Sequence, residues 1–504
     1  MRSLYRARRV HTFGHPPTGD WVLVDGRHVE RVGAGDPPQA DRTVELPGAT
    51  IVPGLIDSHI HLTSLGLSAE NEEVAAARSA SDLLAIARRR AADGPDTVLA
   101  LQGYDETLWA DPTLPTLDEL DEASNTPLVI RRTDGHVALL NTPALSLADA
   151  LDTPGVERDA EGRPTGVVTG TANRLVGRWS ATARTEHAIE ALQLSGAARA
   201  ASHGVTTVHE MALPLEFGPL DLETLLAHRR DLPVSVEVVL GLMDVPKAVE
   251  LGLRAIGGDL ATDGSLGART AAIGDPYRDG PGRGELAFDA EILEGFFRDG
   301  HDAGLQVGMH AIGDRAIEQV LGAWERIYHR LDSRERRHFR ARRHRIEHFE
   351  MPTLAQIERA AMLGLAISMQ PAFDAAWGYP GALYERRVGA DRAWAMNPVR
   401  TILDRGLELG VGSDAPVVPV DAWATIRAME THHDPTQRVP RADAIRVHTT
   451  GSARLAHQEE KKGVLEPGMH ADLAAYDVDP LSVGDVTGLR PILTVSIGRE
   501  VWLA

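Results

Sequence analysis

Ile51-Val-Pro-Gly-Leu-Ile-Asp-Ser-His-Ile-His61 runs from an apolar stretch into two histidines spaced two apart. Alternate side chains of a β-strand share a face, so His59 and His61 project together. Two neutral imidazoles fixed at a strand end form a bite for a zinc-like cation. A lone His-x-His is weak evidence of metal, and its meaning rests on the rest of the chain.

Three further strand-like runs end in a ligand type. Leu305-Gln-Val-Gly-Met-His310 and Arg345-Ile-Glu-His348 end in histidine, and Gly410-Val-Gly-Ser-Asp414 ends in aspartate. Each histidine alone also reads as a buried structural residue. Four such strand ends together point to one hydrolytic metal site, with ligands drawn from distant strands.

Eight short apolar runs alternate with longer helical patterns: Ile56–His61, Val205–His209, Val234–Leu240, Gly257–Thr262, Leu305–His310, His344–His348, Leu365–Met369 and Leu409–Ser413. Between two of them Ile317, Val320, Leu321 and Trp324 fall at helical spacing behind Asp314, a predicted cap. This alternation predicts an α/β (β/α)8 TIM barrel over residues 53–457, with its active site at the carboxyl ends of the strands. The stretch from about 62 to 190 is too long for one connection and reads as an insertion over the pocket. Residues 1–52 and 458–504 are β-rich and predict a small β-sandwich built from both termini.

Net charge is −20, from 52 basic and 72 acidic residues, which argues against a nucleic-acid partner. The seven arginines between Arg334 and Arg345 read as a solvated helix face. There are no cysteines, which excludes disulfides, thiolate zinc sites and a cysteine nucleophile. With no secretory pattern near Met1 and no apolar run long enough to span a bilayer, the expected setting is cytoplasmic, away from membranes.

The motifs Pro53-Gly-Leu-Ile-Asp-Ser-His-Ile-His61, His310-Ala-Ile-Gly-Asp-Arg315, Arg345-Ile-Glu-His348 and Gly412-Ser-Asp-Ala-Pro416 resemble the amidohydrolase superfamily. Thr133-Asp-Gly-His-Val137 and Asp263-Gly-Ser-Leu-Gly-Ala-Arg-Thr270 resemble its N-substituted-formamide deformylase-like branch. The resemblance spans nearly the whole chain from about residue 20. It implies metal ligands His59, His61, His310, His348, Asp414 and Asp259, one or two divalent ions, zinc foremost, and a homodimer. Asp414 and His348 are the implied catalytic residues, with Asp414 moving the proton of an activated water.

One departure stands out. In that branch a lysine, carboxylated to bridge two metals, precedes the Asp-Gly-Ser turn by four residues, and here the position is Asp259. The chain has three lysines, Lys247, Lys461 and Lys462, read as a helix start and a C-terminal linker. A single-metal site is therefore as consistent with the sequence as a pair. Asp134, His136 and Arg269 are the expected substrate contacts, although a turn and an ion pair account for them equally. His209 and Glu210 are candidates for orienting a ligand, and Trp109, Trp377 and Tyr379 for an apolar wall. The leading expectation is hydrolysis of a small N-substituted formamide or other N-acyl amine. A deaminase or cyclic-amide hydrolase is the alternative, as is a ligand-binding descendant without catalysis.

Overall fold

The computed structural model describes residues 1–69, 72–92, 98–182 and 184–504. Residues 70, 71, 93–97 and 183, all within the expected insertion, lie outside the described residues. Eight parallel strands follow one another round a barrel. They are β1 (Leu55–Ile60), β2 (Val205–Ala212), β3 (Ser235–Leu240), β4 (Ala255–Ile256), β5 (Gln306–Ala311), β6 (Arg345–His348), β7 (Ala366–Met369) and β8 (Glu408–Val411). The ring closes where the Asp414 N–H donates to the His59 carbonyl at 2.7 Å and the His61 N–H to the Ala415 carbonyl at 3.1 Å.

Strands covered on both faces carry continuous apolar runs, because no face meets water. Every residue of β1, β2 and β5 is accordingly buried. Outside the ring, the helix Asp314–Arg330 buries Ile317, Val320, Leu321 and Trp324, the spacing predicted from sequence. Trp324 stacks on Phe297 with ring centroids 4.3 Å apart. The N-cap, however, is Gly313, and the Asp314 carboxylate instead accepts the Gly274 N–H at 2.7 Å.

The fourth strand departs most from expectation, as only Ala255–Ile256 pair. Gly257 and Gly258 adopt positive φ of 85° and 54° and turn the chain out of the ladder. A Cβ on Gly257 would lie 2.1 Å from the Gly308 carbonyl oxygen, so the close approach of the neighbouring strand demands glycine. The break frees Asp259 to reach over the barrel mouth.

Both termini meet in a seven-stranded sheet in which three strands from residues 473–503 pair side by side with four from residues 2–53, burying Val22, Val24, Ile51, Leu473 and Val495. The insertion forms a five-stranded sheet of its own, ordered Leu99–Tyr104, Leu128–Arg132, Val137–Leu140, Pro164–Thr169, Val156–Arg158. It leans on the barrel mouth through Thr133, whose hydroxyl donates to the Val417 carbonyl at 3.2 Å. Helix Ser333–Arg342 exposes most of its arginines, but Arg345 is only 2% exposed and points into the barrel. Lys462 is no linker residue either. It is buried, with Nζ donating to Thr207 Oγ1 at 2.8 Å. Among the described residues no helix is long and apolar enough to cross a membrane.

Candidate metal centre

Asp57 explains why the first motif needs its aspartate. Its carboxylate accepts the Ser413 N–H at 3.0 Å, the Ser413 hydroxyl at 2.6 Å and the His59 N–H at 3.1 Å, tying β1 to the loop after β8. A Cβ on Gly412 would lie 2.5 Å from that carboxylate and from the His59 nitrogen, hence Gly412-Ser-Asp414. Asp414 itself sits at φ 55° and His348 at φ 71°. Such left-handed non-glycine residues cost energy and concentrate at functional sites.

All six expected ligands converge at the mouth. The imidazoles of His59, His61 and His348 each turn Nε2 inward because the other ring nitrogen is held from behind. Nδ1 of His59 lies 3.0 Å from Glu347, that of His61 3.1 Å from the Met211 carbonyl oxygen, and that of His348 2.8 Å from Gln370 Oε1. Fixing one nitrogen this way sets the tautomer and aims the other lone pair at the centre. His310 is reversed: Nδ1 faces the centre, and Nε2 lies 3.5 Å from Asp263.

Two carboxylates complete the cluster. Asp414 Oδ1 lies 3.2 Å from His61 Nε2 and 3.5 Å from His59 Nε2. Asp259 Oδ1 is 3.1 Å from both His310 Nδ1 and His348 Nε2, and its Oδ2 is 3.3 Å from His61 Nε2. The shorter side chain thus lies between the two histidine pairs despite replacing a lysine, because the broken β4 brings its backbone close.

The donor set fits a divalent cation. His59 Nε2 and Asp414 Oδ1 are buried without any hydrogen-bond partner. His59, His61 and Asp414 offer ligand atoms within 4.8 Å of one another, as do His59, Asp259 and His348. Buried unsatisfied polar atoms are costly, so a group of them aimed at one point calls for a partner. Electrostatics agree. Burial alone would push His59 down, but Asp414, Asp259 and Glu347 carry it up to about 10. His310 is likewise opposed by burial and raised to about 9 by Asp259. The carboxylates want positive charge at this point. Nitrogen and oxygen donors without sulfur suit zinc and its first-row neighbours.

Behind the ligands runs a buried ionic chain that sequence inspection missed. Arg345 Nη2 donates to Glu347 Oε2 at 2.9 Å and to the Ser58 carbonyl at 3.0 Å, and Nη1 lies 3.2 Å from His209 Nδ1. Burial would raise Glu347, yet Arg345 and His59 hold it at about 2, so it stays ionised. His209 is thus linked to His59 through Arg345 and Glu347. Glu210 accepts the Leu62 N–H at 2.7 Å, fixing the chain just after His61. The sequence signals for Glu347 were its place in the Arg345-Ile-Glu-His348 motif and its two-residue spacing from Arg345 on one strand.

A cavity of about 810 Å³ opens onto the centre, walled by the insertion and the loops after the strands. Asp134 lies on its wall with both oxygens taken. Arg132 Nη1 donates at 2.7 Å, the Ser265 hydroxyl at 2.8 Å and the His136 N–H at 3.1 Å. It thereby anchors the turn presenting His136, whose ring centroid is 5.9 Å from that of His310. Arg269 also lines the cavity, but its fork grips Asp279 through two bonds of 3.1 Å. Trp377 is on the wall, whereas Trp109 packs in the insertion core and Tyr379 is exposed.

A family model described as "Amidohydrolase family" matches residues 42–502. The chain is 28% identical to "Putative amidohydrolase YtcJ" of Bacillus subtilis over 471 residues, 87% of this chain and 86% of that protein. It is 24% identical to "N-substituted formamide deformylase" of Arthrobacter pascens, covering 95% and 92% of the two. An uncharacterized metal-dependent hydrolase from Pyrococcus horikoshii superposes with a TM-score of 0.76 at 26% identity, covering 96% of this chain and 99% of that one. With motifs, barrel and converged donors already in place, the match over most of its length means that this chain belongs to the amidohydrolase family, as a hydrolase acting on carbon–nitrogen bonds.

Proposed function

We propose that the protein hydrolyses the amide bond of a small N-acyl amine, such as an N-substituted formamide, to a carboxylate and an amine. The observation that carries this reading is the convergence of Asp414 with His59 and His61 on a cavity large enough for a small organic molecule. His59, His61 and Asp414 would hold one ion, and His310 and His348 would face a second, with Asp259 between them. A bound divalent ion, zinc by donor type, supplies Lewis acidity and lowers the pKa of water from 15.7 to roughly 7.

The chain's own groups handle the proton. The Asp414 carboxylate, whose Oδ1 would face the ion, takes the proton of the attacking water on its other oxygen and returns it to the leaving nitrogen as the carbon–nitrogen bond breaks. Glu347 and Gln370 hold His59 and His348 in register behind it. His136, presented by the Asp134 turn, lines the cavity beside His310 and contacts the substrate's polar end.

The test combines elemental analysis with product identification. Protein purified without added metal should carry zinc, chelation should abolish turnover, and N-formyl and N-acyl amines should release free amine. Ammonia release, or ring opening with a single product, would replace this reading with the deaminase or cyclic-amide alternative.

A further inference from the structure

Arg131 and Arg132 are neighbours on one strand of the insertion, yet their surroundings are opposite. Arg132 is buried among three carboxylates, at 3.0 Å from Asp105, 2.8 Å from Glu106 and 2.7 Å from Asp134. Arg131 lines the catalytic cavity beside Glu216, and among the described residues its guanidinium makes no hydrogen bond and no ion pair within 4 Å. It lies against Gly177 of the helix Gly170–Thr182, where a Cβ would come within 2.6 Å of its Nη2. Room has been left there for the guanidinium and for little else.

Arg131 is half-buried on the cavity wall, and a guanidinium that gives up part of its water without a hydrogen-bonded carboxylate is costly. Burial and the nearby Arg184 push it down, and Glu216 opposes them only in part. Arg174 lines the same cavity, as does the first turn of the helix from Gly170, with Glu216 the carboxylate beside Arg131.

From this we infer that Arg131 binds an anionic group of the substrate, a carboxylate carried on the amine portion, so that the enzyme acts on N-acyl amino acids or similar acids. A planar carboxylate matches one guanidinium fork through two parallel hydrogen bonds. The neighbouring Glu216 makes a singly charged group a better fit than a doubly charged phosphate. The inference rests on the amide-hydrolase reading above and narrows its substrate class.

The test compares N-formylphenylalanine with N-formyl-2-phenylethylamine, which differ only in the carboxylate. Metal-loaded wild-type enzyme should favour the acid in kcat/KM at least about 10-fold, and Arg131→Met should reduce that preference about 10- to 100-fold. Arg131→Lys should keep part of it, and circular dichroism verifies the fold of both. Calorimetry in an Asp414→Asn background gives the same comparison as Kd, without turnover. A wild-type enzyme that hydrolyses both compounds equally, or an Arg131→Met variant with an unchanged preference, overturns the inference. Tighter binding of inorganic phosphate than of the acid overturns it too. If the acid binds preferentially through Arg131 and neither compound is cleaved, the hydrolase reading fails and the anion site stands.

Discussion

Glu347 Oε2 stands 3.0 Å from Nδ1 of His59, although 288 residues separate the two in sequence. The contact turns His59 Nε2 toward the centre, and Arg345 keeps the carboxylate charged. Outer partners of this kind typically govern metal affinity by about 10–100-fold. Glu347→Gln should weaken metal binding by that amount in a competitive chelator titration, with the fold preserved. Unchanged affinity would leave Glu347 a purely structural role.

Asp259 touches both histidine pairs, at 3.1 Å from His310 and His348 and 3.3 Å from His61. Asp259→Ala should therefore lower metal content further than the roughly 10–100-fold change expected for an outer partner. Elemental analysis after dialysis gives the number of ions held with and without the carboxylate. Full retention would show that the aspartate is a bystander at the lysine position.

Asp414→Asn keeps the size of the side chain and removes its capacity to accept a proton. Turnover should fall by at least about 10²–10⁴-fold, the usual worth of acid–base help. Thermal unfolding and circular dichroism should stay close to wild type. A variant with near-normal kcat would assign the proton to another group.

His448 is fully enclosed beside β1, and burial pushes it down to about 4. Its unfolded value is near 6.5, so the unfolded chain takes up a proton first as pH falls. The neutral ring's contribution is intact above about pH 6.5 and is lost progressively down to pH 4. Between pH 7.5 and pH 5 that amounts to about 2 kcal/mol. The midpoint of denaturant unfolding should therefore fall less over this range in His448→Asn than in wild type. Equal falls would mean that His448 reaches solvent before unfolding.

Much of the architecture was legible because it repeats a local rule. Strands buried on both faces are written as apolar runs, and β5, β6, β7 and β8 lie within two residues of their expected bounds. Five of the converged side chains, His59, His61, His310, His348 and Asp414, were legible for the same reason, since they stand at or next to the ends of such runs, whereas Asp259 was reached by resemblance alone. Where a local rule was broken, the reading slipped. Gly257 and Gly258 end β4 early through positive φ. The Asp314 cap failed because that carboxylate found the Gly274 N–H across a loop.

By itself the sequence determined the alternation of strands and helices and which side chains stand at strand ends, because both follow from hydrophobic period and short-range geometry. Only the tertiary structure decided how charges are matched. Whether Arg345 faces water or Glu347, whether Lys462 is a linker residue or lies beneath Thr207, and whether Arg131 is paired like Arg132 depend on partners up to hundreds of residues away. A charge can be buried only where folding delivers its counterpart, and no local window of sequence contains that information.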